Sequence, residues 1–595
     1  MPPSRPNRLH TFRWLLAGLA CLAVVGFGLA LSLGLKDAAA AAQTLQDRVA
    51  TTQALVRSGD VKGLSASLPA IQASGQELQR STQRWQWQLV AFVPGLAPTT
   101  KAVEAIGDAA LIMSDATLPL ADAVSSSTGG TDLLRRVPEL LPLLRQVTLG
   151  AQQASLALSP ATNSGAGLGI AEKALEAKEA LDSLATSTDA IQEHATSLQD
   201  FLGFNGTRRY LVMLQNPAEA RGSGGLFSAF LILELKDAKP AILEANSRKV
   251  LDELRIPTKG ILDKQDTALW GEAQSKWASF NVSADFPHVA RLAQAGMAAR
   301  GTPVDGVIAI DPGAVGAVLA STGPVEHNKV TIDATGAAAF FTKDIYALYP
   351  SFSDVEAKDE LTLGLLYATM DSVLNRPLDL AALATSLPEA VAGGHVKIWS
   401  ADIDESTWFD QLGVSGSLES ADPGTLAIAF NNGVGGKIDA YVTAAAALTP
   451  GLCVDPAFDL AGYRLKTLDL QVTNNAPSGL PDYVDFRLDD GPKTPGSTRT
   501  LIHVYGPVGA VDMSATLDEE PIGLVSGTEA GRPVWATEME LARGETRSLA
   551  ITFAELPRSR PNPAIRANGA NPLSITDAVD QGILTCPQTD IGTSP

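Results

Sequence analysis

Cysteine and histidine are scarce in this sequence, and the familiar catalytic signatures are missing from it. Three cysteines and six histidines stand in 595 residues. His10, His194, His288, His327, His395 and His503 are scattered, with no pair at ligand spacing. Neither Cys453 nor Cys586 has a second ligand at CxxC-like distance. Spacing therefore gives no metal site, and the expected set of metal ligands and catalytic residues is none. No HExxH, GxSxG or Walker loop occurs. Positive charge is short as well: 45 Lys and Arg face 65 Asp and Glu, for a net charge of −20. Such a surface repels phosphate backbones, so nucleic acid is not an expected partner.

Long apolar runs are absent except for one. Trp14–Leu35 carries no charge over about 22 residues, roughly 33 Å as a helix and enough to cross a bilayer core. Arg5, Arg8 and Arg13 precede it, so residues 1–13 are expected in the cytoplasm, 14–35 across the membrane and the bulk outside. A cleaved signal peptide is the other reading, since "DAAAAAQ" offers small residues for cleavage. Cys453 and Cys586 would then lie in an oxidising compartment, where a bridge between them is expected and two reduced thiols are the alternative.

What is present divides the chain by texture. Residues 37–202 carry helical periodicity. Leu64, Leu68, Ile71, Gly75 and Leu78 alternate by four and three, and so do Ile170, Ala174, Ala177, Leu181, Leu184, Thr188, Ile191, Ala195, Leu198 and Leu202. This predicts an antiparallel helical stalk. Residues 208–450 mix strand-like runs with helices, such as "DFPHVARLAQAGMAARG" closed by Gly301 and "DPGAVGAVLAST" opened by Asp311 and Pro312. That predicts a layered α/β core, with "TLAIAFNN" among its strands. Residues 455–556 show short alternating runs between Gly, Pro, Asn and Asp, as in an antiparallel β-sandwich, and 557–595 form an extension holding Cys586. The expected fold class is a multidomain α+β protein built in that order. Its length fits several cores.

One stretch carries most of the candidate chemistry. "QNPAEARGSGG" (215–225) lies between two apolar runs, and a strand pattern follows it rather than a helix. A phosphate loop needs a helix N-terminus, so a corner between neighbouring strands is predicted. Glu219 and Arg221 are expected to face a cleft shared with Arg248.

"YLVMLQNPAEARGSGGLFSAFLIL", "VDGVIAIDPGAVGAVLASTGPV" and "FNNGVGGKIDAYV" resemble the bacterial domain of unknown function 4012 family, over roughly residues 85–555. That resemblance implies an N-terminally anchored envelope protein, often encoded near polysaccharide genes. "VDGVIAIDPGAVGAVLASTGPVE" also resembles a segment of the LytR-CpsA-Psr phosphotransferases, which attach lipid-linked glycans to the cell wall using arginines, acids and a divalent metal. That second resemblance implies Arg248, Asn281 and Asp285 near the cleft, while the acid of the opening arginine motif is missing after Arg208 and Arg209. Two classes therefore stand. One is a non-catalytic scaffold, or a binder of envelope polysaccharide or polyprenyl-linked sugar, without a cofactor. The other is a phosphotransferase using Mg²⁺. Convergence of Asp285, Asp305, Asp311 or Glu219 on Arg221 or Arg248 would favour the enzyme. The sequence does not set an oligomeric state.

Overall fold

A computed structural model describes residues 60–83, 87, 97–127, 129–163, 170–454, 460, 462–491, 494–556, 565–567 and 573–576, with a few positions between 44 and 55. The protein is mixed α+β with several sheets. The expected anchor at 14–35 and Cys586 lie outside the described residues. Among the described residues no helix is long and apolar enough to cross a membrane.

Four long helices come first: α1 (Val61–Thr82), α2 (Ala97–Ser125), α3 (Val137–Asn163) and α4 (Ile170–Glu193). Side-chain pairs Ser65–Asp122, Gln72–Asp115 and Gln79–Asp108 run in opposite directions along α1 and α2. Thr148–Thr188 and Ser155–Asp182 do the same for α3 and α4, so the members of each pair are antiparallel. The periodic residues form the seam: Leu68, Ile71, Leu78, Ala174, Ala177, Leu181, Leu184 and Thr188 are buried. The seam does not run unbroken to Leu202. It ends as Ile191 becomes exposed, and a short helix, Ala195–Phe201, follows a turn at His194. There the chain changes partner. His194 bonds Gln411 and stacks on Trp408 from a later helix, which redirects the backbone.

A central sheet follows. Its elements are β1 (Arg208–Asn216), β2 (Leu226–Lys236), β3 (Lys239–Ser247), α5 (Lys264–Trp270), α6 (Phe286–Arg300), β4 (Gly306–Ile310), α7 (Pro312–Thr322), α8 (Val355–Asn375), α9 (Leu380–Ala392) and β5 (Val396–Ser400). The strand order is β3-β2-β1-β4-β5, with β1 and β4 parallel and the other pairs antiparallel. Both faces are covered. Leu211, Met213, Phe230 and Val307 pack with Val289, Ala293 and Met297 of α6. Tyr210, Val212, Leu214 and Leu231 pack on the opposite side with Leu366 of α8. Two-sided burial is why these strands read as continuous apolar runs. Asp285 caps α6 by accepting from the His288 N–H, and Gly301 closes the helix at φ 90°. Asp311 caps α7, with Pro312 at its first position.

A two-stranded sheet pairs Val325–His327 with Val330–Ile332, and two larger sheets follow later in the chain. Their strands are β6 (Leu426–Asn432), β7 (Val442–Cys453), β8 (Arg464–Asn474), β9 (Thr498–Tyr505), β10 (Val511–Leu517), β11 (Glu520–Ile522), β12 (Val525–Glu529), β13 (Arg532–Leu541), β14 (Thr546–Glu555), β15 (Ile565–Ala567) and β16 (Leu573–Thr576). They form the sheets β11-β10-β14-β8-β7-β16 and β12-β13-β9-β6-β15. Phe430, Ile502 and Trp535 of one sheet share a core with Leu448, Leu470 and Phe553 of the other. Two details depart from expectation. β6, read as a strand of the α/β region, pairs with β9, because Phe430 and Ile428 face this later core. The sheets are also not wholly antiparallel, since β15 and β16 pair parallel to β6 and β7. Cys453, at the end of β7, is disulfide-bonded.

Candidate ligand site and the loop behind it

The loop 217–225 joins β1 to β2, as a strand corner should, yet every residue in it is buried. It is wedged between the central sheet and the β6 end of the later ones. Its backbone polar groups are satisfied from both sides. The Ala220 N–H donates to Asp439, the Gly222 N–H to Asn431 Oδ1, and the Asn432 N–H to the Ala220 carbonyl. Asn281 donates its amide to Ser223 and to the Gly225 carbonyl. Glycine is required where the packing is closest: a Cβ on Gly222 would lie 2.0 Å from the Val282 carbonyl oxygen. Gly224 adopts φ 144°, a conformation that other residues avoid.

Glu219 and Arg221 do not face an open cleft. The Arg221 guanidinium donates to Glu219 at 2.7 Å and to the carbonyls of Ala220 and Ala278. The other Glu219 oxygen takes the Lys437 ammonium. Burial alone would raise the pKa of Glu219, but Lys437 and Arg221 more than offset this and hold it below the usual carboxylate range. Asp439, next to them, is pushed up to about 6 by burial, despite the donors from Ala220 and Asn432. Lys437 and Asp439 belong to "FNNGVGGKID", so the first and third motifs meet in one buried network.

In front of this network, at the carboxyl ends of β1 and β4, lies a cavity of about 20 Å³, room for one water. Asn216, Ser247, Tyr346, Lys358 and Asp359 are among its lining. Ligands of open α/β sheets gather at this end of parallel strands. Asp359 is held at 2.6 Å by Lys358 and 3.3 Å by Lys249, and accepts from Ser247 at 2.9 Å. Asn216 donates to the Tyr346 hydroxyl at 2.7 Å. Burial lowers the pKa of Lys358, with Asp359 opposing. Tyr483 links cavity and network. The Lys437 ammonium sits 6.0 Å from its ring, and burial, with Asp359 and Glu219 nearby, pushes its hydroxyl up to about 12.

Arg248 follows Ser247 at the cavity rim, where its field reaches Tyr483, and it pairs with Asp252. Its Nε is buried with no partner among the described residues. The structure thus brings Arg248 toward Glu219 and Arg221 only through Lys437 and Tyr483. Asn281 is pinned to the loop, and Asp285 accepts from the backbone of His288 and Leu418. Asp305 accepts from the Arg209 N–H, and Asp311 caps α7 and binds His395 at 2.8 Å. Of the acids that could have converged on an arginine, Glu219 does so, on Arg221, while Asp285, Asp305 and Asp311 are taken up in such roles. Lys358, Lys249 and Lys437 were not among the expected residues. Lys249 and Lys437 carry no local signal of partners 110 and 218 residues away.

Residues 205–346 match the family model described as "Protein of unknown function (DUF4012)". This stretch is a DUF4012 domain. It contains the whole buried loop, β4 and Tyr346, whereas Lys358 and Lys437 fall beyond the matched stretch. No curated protein and no solved structure matches the chain.

Proposed function

We propose that the chain is a membrane-anchored extracytoplasmic envelope protein that binds an anionic envelope glycan or a polyprenyl-linked sugar without transforming it. In this reading residues 14–35 are the anchor, the antiparallel helices are a stalk, the DUF4012 stretch together with α8 carries the binding face, and the last two sheets are a sandwich closed by a Cys453–Cys586 bridge. The observation that carries it is Lys358 in the cavity lining, with Lys249 paired to the lining Asp359 and Lys437 within electrostatic reach, in a chain of net charge −20. A diphosphate or acidic sugar at the mouth would face an ammonium already short of solvent, and binding would recover part of the charge that burial opposes. The cavity admits only one water, so the anionic group is placed at its mouth. Glu219 does meet Arg221, but inside the buried loop network and with Lys437 on its other oxygen; that, with Asp285, Asp305 and Asp311 held elsewhere, favours this reading over the phosphotransferase.

The test uses the full-length chain in detergent with polyprenyl diphosphate in mixed micelles. Lys358→Met should weaken binding at least tenfold, about 1.4 kcal/mol, and leave the melting temperature within a few degrees. Equal binding by wild type and variant, or none by either, overturns the proposal. Protease added to intact, wall-stripped cells should digest everything after residue 37. Protection would remove the envelope reading.

A further inference from the structure

A second buried cluster lies where α5 and α6 meet the β12–β13 hairpin. Asp266 comes from α5, His288 from the first turn of α6 and Glu529 from the end of β12. All three are buried, and one ligand atom from each lies within 4.8 Å of the other two. Glu529 is oriented by the Ser283 hydroxyl at 2.6 Å on one oxygen and by the Tyr505 hydroxyl at 2.8 Å on the other. Each carboxylate oxygen keeps a free lone pair under that arrangement.

A fourth residue makes the cluster more than a meeting of acids. Gln274 is fully buried, and its amide nitrogen lies 2.8 Å from His288 Nε2. Its carbonyl oxygen is buried with no hydrogen-bond partner among the described residues. An orphaned buried acceptor is costly, and it sits on the carboxamide that touches the cluster's imidazole. Charge points the same way. Among the described residues no ion pair neutralises Asp266, Asp285 or Glu529, and only the more distant field of Arg291 reaches Asp285 and His288. In the loop network, by contrast, Glu219 has both Lys437 and Arg221 against it.

We infer that Asp266, His288 and Glu529, with the Gln274 side chain against the imidazole, form a binding site for one divalent first-row transition-metal ion. Two carboxylates suit a hard cation, the imidazole favours Mn²⁺ or Zn²⁺ over Mg²⁺ and Ca²⁺, and the lack of a thiolate disfavours Cu(I). Ser283 and Tyr505 would serve as outer donors that fix the carboxylate. A metal there would clip the α5–α6 region to the β12–β13 hairpin, joining Asp266 and Glu529, 263 residues apart in sequence. The inference does not depend on the ligand proposed for the lysine cavity.

The full-length chain in detergent, stripped with EDTA and then given Mn²⁺ or Zn²⁺, should retain about one ion per chain after gel filtration, measured by elemental mass spectrometry. Its melting temperature should rise with metal concentration, as mass action requires. Glu529→Gln keeps size and shape and should abolish both effects, as should His288→Ala. Bound Mn²⁺ should show nitrogen hyperfine coupling that disappears in the His288 variant. No retained metal in the wild type overturns the inference. Stoichiometric metal that survives Glu529→Gln, or that shows no nitrogen coupling, overturns it equally.

Discussion

The loop network and the Asp266–His288–Glu529 cluster are both buried, both charged and both built where the early and late parts of the chain meet. They differ in whether the charges are matched. Glu219 has two cations against it at hydrogen-bond distance, and the neighbouring loop backbone is satisfied group by group. The second cluster gathers carboxylates against an imidazole, with an unsatisfied amide oxygen beside them. Desolvating an ion is expensive, so a buried charge that persists must be matched by the protein or by something the protein binds. Matched burial marks architecture. Unmatched burial marks a site.

The largest test of that contrast removes a matching partner. Arg221→Ala leaves Glu219 buried with Lys437 alone and strips donors from the Ala220 and Ala278 carbonyls. Breaking a buried pair costs about 3–5 kcal/mol. Chemical denaturation should show a loss of that size, with no protection by added glycan or polyprenyl diphosphate beyond what the wild type shows. A loss below about 1 kcal/mol would mean that the guanidinium is replaceable by water, as at a surface pair.

A second test uses pH. Asp439 titrates near 3.8 when unfolded and about 6 when folded, because burial raises it. Between those values the folded state holds the proton and the unfolded state has lost it, so stability falls as pH rises. The full contribution is about 3 kcal/mol, spread over roughly pH 4 to 6. Glu219 has the opposite sign: its depressed folded pKa adds stability that is present above its unfolded value and lost only at lower pH. Glu529, raised to about 7 by burial, shares the upper part of the window. The readout is therefore the difference in slope between wild type and Asp439→Asn. The variant should be flatter from pH 4 to 6, and identical slopes would show that Asp439 reaches solvent.

What was legible in the sequence follows the reach of each signal. Local signals held: the helical seam at Leu68, Ile71 and Leu181, the caps at Asp285, Asp311 and Gly301, and the strand corner at 215–225 all depend on neighbours within a few residues. The loop's charged pair was picked out, but its direction was not, because Lys437 lies 218 residues on. β6 was read into the wrong sheet for the same reason. Its apolar run fits a strand in either place, and only the partner β9 decides. A search for histidine spacing could not find His288 with Glu529, since a site assembled from two helices and a hairpin has no spacing to read.

The smallest expected effect is also the sharpest. In chelated protein at pH 7.5, Glu529→Gln removes one carboxylate from a pocket that also holds Asp266 and Asp285, and it preserves the shape that Ser283 and Tyr505 grip. Relief of like-charge repulsion opposes the loss of two charge-assisted hydrogen bonds, so stability should change by no more than about 1 kcal/mol in either direction. Arg221→Ala is expected to cost several times that under the same conditions. Metal should then separate the two sites in the opposite sense. Added Mn²⁺ or Zn²⁺ should stabilise the wild type and the Arg221 variant alike, and leave the Glu529 variant unmoved. If metal-free Glu529→Gln proves as damaging as Arg221→Ala, Glu529 is matched within the protein after all, and the difference between the two buried clusters disappears.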